Sequence, residues 1–362
     1  MSLLISVHHK FGDFILDAKF EAPKGLTVLY GRSGSGKSTI INAVAGLLRP
    51  QKAQITVGSQ VLQDSDARTW VPPHKRRLGY IFQDSRLFPH LSVAGNLDYA
   101  ARASRRSIDT AHRAQVIDML DIGALLARRP IALSGGEKQR VAIGRALLAD
   151  PQVILADEPL ASLDGARKAE ILPYFERIRD ETDIPILYVT HAVNEVARLA
   201  TTVIALEKGK VLRQGPARDV LSDPRARPMG LGAVGAVLDA VIKAHHDDGL
   251  TELDAGGAAF FLPHVAQPIG AKVRVRLPAS DVLLAHQRPS GLSALNIVSG
   301  QVEAIQNTSE SGAIVTLSTC AGPILARITQ RSVRAMDLRV GNPCCAIVKT
   351  VAIASDLGTD LA

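Results

Sequence analysis

The chain has 362 residues, 46% hydrophobic and 21% charged, enough for a nucleotide-sized domain plus a smaller one and unlike a disordered or collagenous polymer. Forty-two Lys and Arg against 35 Asp and Glu give a net charge of +7, an ordinary basic surface or one facing phosphates or anionic lipid. Aromatics make up only 4%, with a single Trp70, so a base-stacking surface has little to be made from and no nucleic-acid partner is expected.

The N-terminus, MSLLISVHHK, lacks a basic start followed by a long apolar run, and no secretory signal is expected. Val28 to Tyr30 is an apolar strand that runs into Gly31, Arg32, Ser33, Gly34, Ser35, Gly36, Lys37 and Ser38, and then into a helical run from Thr39 to Gly46. This is the G-x-x-x-x-G-K-[ST] pattern in the strand–loop–helix context that gives it meaning. The glycines let successive N–H groups point at one phosphate, and the helix N-terminus adds its dipole. Lys37 is expected to reach the β- and γ-phosphates and Ser38 to place its hydroxyl on Mg²⁺, with Gly31 to Thr39 as the nucleotide-contacting set. A Gly/Ser-rich surface turn is the plain alternative, but it would require neither Lys37 nor the flanking strand and helix.

Further on, Gln83 closes the short apolar run from Tyr80, where it could meet Mg²⁺ and the γ-phosphate or simply cap a strand. From Ser92 to Arg129 the sequence turns helical and basic, and a helical insertion is expected over about residues 90–150. Ser134, Gly135 and Gly136 precede a helix from Glu137 to Leu148 and form a second anion-receiving helix N-terminus, surplus to a single triphosphate already cradled by Gly31 to Ser38. Val153 to Ala156 is an apolar strand ending in Asp157 and Glu158. Asp157 suits Mg²⁺ and Glu158 suits polarising a water, although a strand ending in two carboxylates can also be a surface cap. Pro185 to Thr190 is another such strand, ending at His191. Buried strands with reactive residues at their carboxyl ends are the pattern of a parallel α/β sheet.

Pro, Gly and polar residues from Gln214 to Ala233 read as a linker, and the run from His245 to Pro289 is weakly patterned. Period-2 alternation then marks strands at Ala271–Leu277, Ile297–Ile305, Ala313–Leu317, Ile324–Ile328 and Cys345–Val351. The organisation expected is a nucleotide domain over 1–222, a linker and weak β region over 223–290, and a small β domain over 291–355. Cys320, Cys344 and Cys345 have no ligand spacing and suggest a reducing compartment. The most apolar window, Gly230 to Ile242, is short and interrupted by Asp239, so any membrane association is expected to come through a partner.

In their order, the phosphate loop, Gln83, Leu133 to Glu137, Asp157–Glu158, Ser162-Leu163-Asp164 and His191 resemble the nucleotide-binding subunits of ABC transporters over about residues 1–220. The resemblance implies an α/β P-loop domain with a helical insertion that binds ATP and Mg²⁺, works as a homodimer and hydrolyses ATP. Ser134, Gly135 and Gly136 would clasp the γ-phosphate of ATP held by the opposite subunit, with Asp164 across the same interface. Glu158 would be the general base, His191 would orient the γ-phosphate and water, and Ser38, Gln83 and Asp157 would serve the metal. Phe11 would carry the adenine, unless it and Phe14 are both core residues. Leu87, Phe88 and Leu91, in the segment through Tyr99, would dock two membrane-spanning permease subunits, or else form a packed helix face.

Ser293-Ala-Leu-Asn296 with Gly300, Ile328 to Val333, Leu338 to Gly341 and Ala346 to Ala352 make residues 291–355 resemble the small oxyanion-binding β domain of molybdate importers, and the run from Arg76 to Leu91 around Gln83 agrees with that subtype. This implies a small β-barrel-like C-terminal domain, an external oxyanion-binding protein as a further partner, and a peripheral place on the cytoplasmic face of the inner membrane. Ser293, Asn296, Ser332 and Lys349 are the candidate oxyanion residues. Leu295 stands where that family usually has arginine, so a ligand-free, dimer-stabilising domain is the alternative. An importer ATPase for sulfate, iron or a sugar remains the rival within transport, and a non-transport ABC ATPase the rival outside it.

Overall fold

The computed structural model describes residues 2–104, 107, 109–223, 234–308, 311–350 and 358–359. It divides into two compact units, Met1–Gly215 and Pro216–Ala362.

The first unit contains β1 (Leu3–Phe11), β2 (Phe14–Ala22), β3 (Leu26–Tyr30), α1 (Lys37–Ala45), β4 (Lys52–Val57), β5 (Gln60–Asp64), β6 (Thr69–Trp70), β7 (Leu78–Ile81), α2 (Val93–Leu97), α3 (Tyr99–Ala103), α4 (Thr110–Met119), α5 (Gly135–Leu147), β8 (Val153–Asp157), α6 (Gly165–Glu181), β9 (Ile186–Thr190), α7 (Val193–Leu199), β10 (Thr202–Glu207) and β11 (Lys210–Gly215). Its strands form one sheet in the order β6-β5-β4-β1-β2-β11-β10-β3-β9-β8-β7. From β10 to β7 every neighbour is parallel, as the sequence predicts. From β6 to β2 the neighbours are antiparallel, a half that the sequence reading did not foresee. The two halves differ in pattern for a physical reason. β3 and β9 are buried at every residue and read as unbroken apolar runs, whereas β1 and β2 alternate buried with exposed positions and look like ordinary hairpin strands.

Register positions the chemistry. Tyr30 pairs with Thr190 and Asp157 with Val189, so the loops after β3, β8 and β9 leave the sheet at one level. Ile81 pairs with Ala156, which brings the chain after β7 to the same edge. α1 buries Ile40, Ile41 and Val44 in the core beneath these loops. The region expected to be a helical insertion contains α2 to α5 with short 3₁₀ turns at Gly123–Leu125 and Pro130–Ala132.

The second unit begins with α8 (Ala217–Leu221), followed by β12 (Gly235–His245), β13 (Leu250–Ala255), β14 (Ala258–Pro263), β15 (Lys272–Pro278), β16 (Val282–Ala285), β17 (Asn296–Asn307), β18 (Gly312–Thr319), β19 (Gly322–Thr329), α9 (Gln330–Ala335), β20 (Pro343–Val348) and β21 (Gly358–Thr359). Two five-stranded sheets, β14-β13-β12-β15-β21 and β16-β20-β17-β18-β19, share one hydrophobic core. The second is a curled antiparallel half-barrel, since its edge strands β16 and β19 approach each other.

The division after Gly215 falls before the expected boundary at 222, because α8 packs on β12. The region expected to be linker and weakly patterned carries β12, β13, β14 and β16 in addition to the expected strand at Ala271–Leu277, which is β15. Their signal is weak because β13 and β14 are six-residue strands turning at Gly256 and Gly257, which has positive φ at both. Residues 224–233 and Val351 lie outside the described residues. Among the described residues, no helix is long and apolar enough to cross a membrane.

Candidate functional site

The phosphate loop joins β3 to α1. Gly36 is the N-cap of α1 at φ 103°, where any Cβ would come within 2.8 Å of Leu16 Cδ1, so both conformation and space require glycine. Gly31 is equally constrained by space, since a Cβ there would lie 2.3 Å from the Leu206 carbonyl oxygen. Lys37 is 4% exposed, and its Nζ donates to the carbonyls of Gly31 at 2.7 Å and Arg32 at 2.9 Å. The loop thus holds the ammonium at its own centre. Burial lowers the Lys37 pKa, and the nearby Glu158 and Asp157 carboxylates oppose that shift.

Asp157 and Glu158 face this loop. The Ser38 hydroxyl donates to Asp157 Oδ1 at 3.3 Å, and the Tyr80 hydroxyl lies 3.4 Å from Asp157 Oδ2. Burial raises the Asp157 pKa, with Glu158 adding to the rise and Ser38 opposing it. A carboxylate held partly out of water beside another carboxylate and a hydroxyl is a set of hard oxygens that favours a small divalent cation. Glu158 has left-handed backbone at φ 45°, and its N–H donates to Val189 O at 3.0 Å. Its Oε2 lies 3.3 Å from His191 Nδ1. Glu158 and His191 therefore meet across the β8–β9 ladder. Gln83, exposed just beyond β7, sits at the same sheet edge.

Ser134 is the N-cap of α5 in a reciprocal capping box: Glu137 N donates to Ser134 Oγ at 3.2 Å, and Ser134 N donates to Glu137 Oε2 at 2.7 Å. That bond from the Ser134 backbone is the main reason the Glu137 carboxyl titrates below its usual range. The cap leaves the amides of Gly135 and Gly136 free of its own bonding. A Cβ on Gly135 would lie 3.3 Å from Leu163 Cδ2, so this helix start adjoins the loop carrying Asp164. Asp164 in turn caps α6, accepting from Arg167 N at 3.0 Å. Among the described residues, no hydrogen bond joins Ser134, Gly135, Gly136 or Asp164 to the chain's own phosphate loop.

Phe11, at the end of β1, is 44% exposed, with His9 edge-on at a ring distance of 4.2 Å. Phe14 instead packs toward Gly36 and the core, whereas Phe11 does not join that core. Leu87, Phe88 and Leu91 are half-buried, and Phe88 packs against Tyr99.

One residue that the sequence reading passed over supports the loop from behind. Arg76, with no exposed surface, donates to the carbonyls of Ala43, Val44 and Val71 at 2.7–2.8 Å, closing the C-terminus of α1. Burial alone lowers its pKa to about 10. A basic residue some thirty positions beyond the helix carries no local signal of that role.

The four candidate oxyanion residues do not converge within the chain. Ser293 and Lys349 line one shallow cavity with Asp281 and Leu283. Ser332 lies on α9, its hydroxyl 2.8 Å from Thr329 Oγ1. Asn296 is fully buried, with its amide accepting from Phe261 N at 2.6 Å and donating to Phe261 O at 2.9 Å. It is therefore corrected from ligand to staple between β14 and β17, because both ends of its amide are already committed.

Residues 17–161 match the ABC transporter family, and residues 292–354 match the TOBE domain. The molybdenum import ATP-binding protein ModC of Mesorhizobium japonicum is 51% identical over 354 residues, covering 97% of this chain and 95% of that protein. The same-named protein of Rhizobium etli is 47% identical over 357 residues, covering 98% and 99%. Among solved structures, a dimeric ATP-binding cassette in a post-hydrolysis state with ADP and Pi aligns at a TM-score of 0.50 and 28% identity, covering 60% of this chain and 99% of that one.

Proposed function

Because this chain belongs to the ABC transporter family, among its molybdenum import ATP-binding proteins, we propose that the edge formed by β3, β8 and β9 is where it hydrolyses ATP to drive molybdate uptake. The observation that carries the reading is the convergence of Ser38, Asp157, Glu158 and His191 on the buried Lys37 loop.

ATP lays its triphosphate along Gly31, Arg32, Ser33, Gly34, Ser35, Gly36, Lys37, Ser38 and Thr39, and Phe11 offers the exposed aromatic face for the adenine. Lys37 exchanges the loop carbonyls for phosphate oxygens. Ser38 and Asp157, with Gln83, would hold Mg²⁺, which supplies charge neutralisation for the phosphates. Glu158 accepts the proton of the attacking water, and His191, beside it, orients that water and the γ-phosphate.

Among the described residues, Ser134, Gly135, Gly136 and Asp164 have no hydrogen bond to their own phosphate loop, and they fit a site completed by a second copy. Two ATPase subunits would close on two ATP molecules and reopen after hydrolysis. Two membrane-spanning permease subunits would dock on the Phe88–Tyr99 segment, with an external oxyanion-binding protein delivering the cargo. The ATPase would then lie peripherally on the cytoplasmic face of the inner membrane. In the second unit, Ser293 and Lys349 are the pair open to an oxyanion. The Asp281 carboxylate in the same cavity opposes tight binding by a single chain.

The test is ATPase activity of the assembled transporter in lipid with its binding protein, titrated separately with molybdate, tungstate, sulfate, iron and maltose. Stimulation by molybdate or tungstate alone is expected. Stimulation by one of the others would assign a different cargo and leave the ATP chemistry standing.

A further inference from the structure

We propose that Glu195 is a positioning residue that ties His191 to the helix capped by Asp164; this rests on reading Glu158 and His191 as the hydrolytic end of an ATP site. Glu195 lies on α7 and is 4% exposed. A buried carboxylate is costly unless it is paired and hydrogen-bonded, and this one is supplied from two other elements. Lys168 Nζ on α6 donates to its Oε1 at 3.0 Å. On β9, the Tyr188 and Thr190 hydroxyls donate to its Oε2 at 3.0 and 2.7 Å.

The geometry continues in both directions. Thr190 Oγ1 accepts the N–H of Ala192 at 3.0 Å, so its two bonds bracket His191 on either side of the backbone. His191 then faces Glu158 at 3.3 Å. At the other end, Lys168 sits one turn into α6, where its N–H donates to the Asp164 carbonyl at 2.9 Å. A continuous set of polar contacts therefore runs from Asp164 through Lys168, Glu195 and Thr190 to the backbone N–H of Ala192, next to His191.

A neighbouring pair serves as a structural comparator. Arg198 and Glu176 also join α7 to α6, through two bonds at 2.9 and 3.0 Å, and both side chains are buried. Neither is bonded to Thr190 or Lys168. If the α6–α7 contact mattered only for stability, losing either pair would have the same kind of effect.

The experiment uses the full-length chain with ATP and Mg²⁺, reading kcat, KM, nucleotide affinity and melting temperature for Glu195→Gln, Lys168→Met and Glu176→Gln. Glu195→Gln and Lys168→Met are expected to lower kcat about tenfold or more through misplacement of His191, with nucleotide affinity unchanged. Glu176→Gln is expected to lower the melting temperature and, where folded, to keep its kcat. Placed on a His191→Ala background, Glu195→Gln should add no further loss, because its effect passes through that ring. Wild-type kcat in Glu195→Gln, or a full multiplicative loss on the His191→Ala background, would overturn the proposal. If Glu195→Gln does not fold, Lys168→Met decides by the same criteria, since the Lys168 side chain is 27% exposed and better tolerates change. Glu158→Gln is run alongside. Undiminished turnover in that variant would remove the underlying reading of the site, whereas its loss with an unaffected Glu195→Gln would remove only the positioning role.

Discussion

The Ser38 hydroxyl and the Asp157 carboxylate meet at 3.3 Å across 119 positions of sequence. The contact exists because the loop after β3 and the end of β8 reach the same sheet edge on either side of β9. It brings the loop carrying Lys37 and the strand end carrying Glu158 together.

Replacing Glu158 by Gln removes the proposed base while keeping the shape of the side chain. Turnover should fall by about 10²–10⁴-fold with ATP affinity retained. Single-turnover hydrolysis beside equilibrium nucleotide binding separates the two, and a wild-type rate would dismiss Glu158 as the base.

Lys37→Ala should act at the other end. Loss of a charge-assisted phosphate contact is expected to weaken ATP binding by roughly 10- to 100-fold. Nucleotide titration of the purified chain measures it, and unaltered affinity would place the ammonium away from the phosphates.

Ser134→Arg should leave ATP bound but abolish its hydrolysis, because the helix start it blocks has, among the described residues, no hydrogen bond to its own phosphate loop. In dimers mixing wild-type and variant chains, the impaired site should be the one whose phosphate loop belongs to the wild-type subunit. Normal hydrolysis by the variant would dismiss the trans arrangement.

The Glu137 carboxylate titrates below its usual range, so its charge stabilises the capping box above the unfolded-state pKa of about 4.3. That contribution is lost as pH falls through the lower folded-state value. Glu137→Gln should therefore melt earlier than wild type at pH 7, and the two should converge in acid. Parallel melting curves across pH 2.5–7 would contradict this sign.

Asn296→Ala should destabilise the second unit by about 1–3 kcal/mol, since it strands the Phe261 N–H and carbonyl in a part-buried position. Its denaturation midpoint should move while nucleotide binding by the first unit does not. An unshifted midpoint would return Asn296 to the list of candidate ligands.

Legibility in the sequence followed the kind of constraint involved. The parallel strands, the Gly31–Ser38 loop and the Asp157–Glu158 pair could be read because each is local: an apolar run followed by residues whose chemistry has few other uses. The antiparallel half of the sheet was missed because β1 and β2 alternate like any exposed hairpin. Asn296 was misread for a related reason. Polar residue types announce hydrogen bonding, but whether the partner is a ligand or the Phe261 backbone depends on a strand thirty-five positions away. Glu195, too, looks in sequence like an ordinary helix surface residue, and its role exists only through Lys168 and Thr190.

Arg76 changes how α1 presents itself to an anion. A helix is a dipole, with its positive end at Gly36 and its negative end at the carbonyls of Ala43 and Val44. The buried guanidinium sits on those carbonyls and offsets the negative pole. The positive pole at Gly36 thus belongs to a helix whose negative pole is offset seven to eight residues further on, at Ala43 and Val44. Arg76 therefore gives those carbonyls the donors that the helix itself cannot supply, a counterweight of charge placed behind the site.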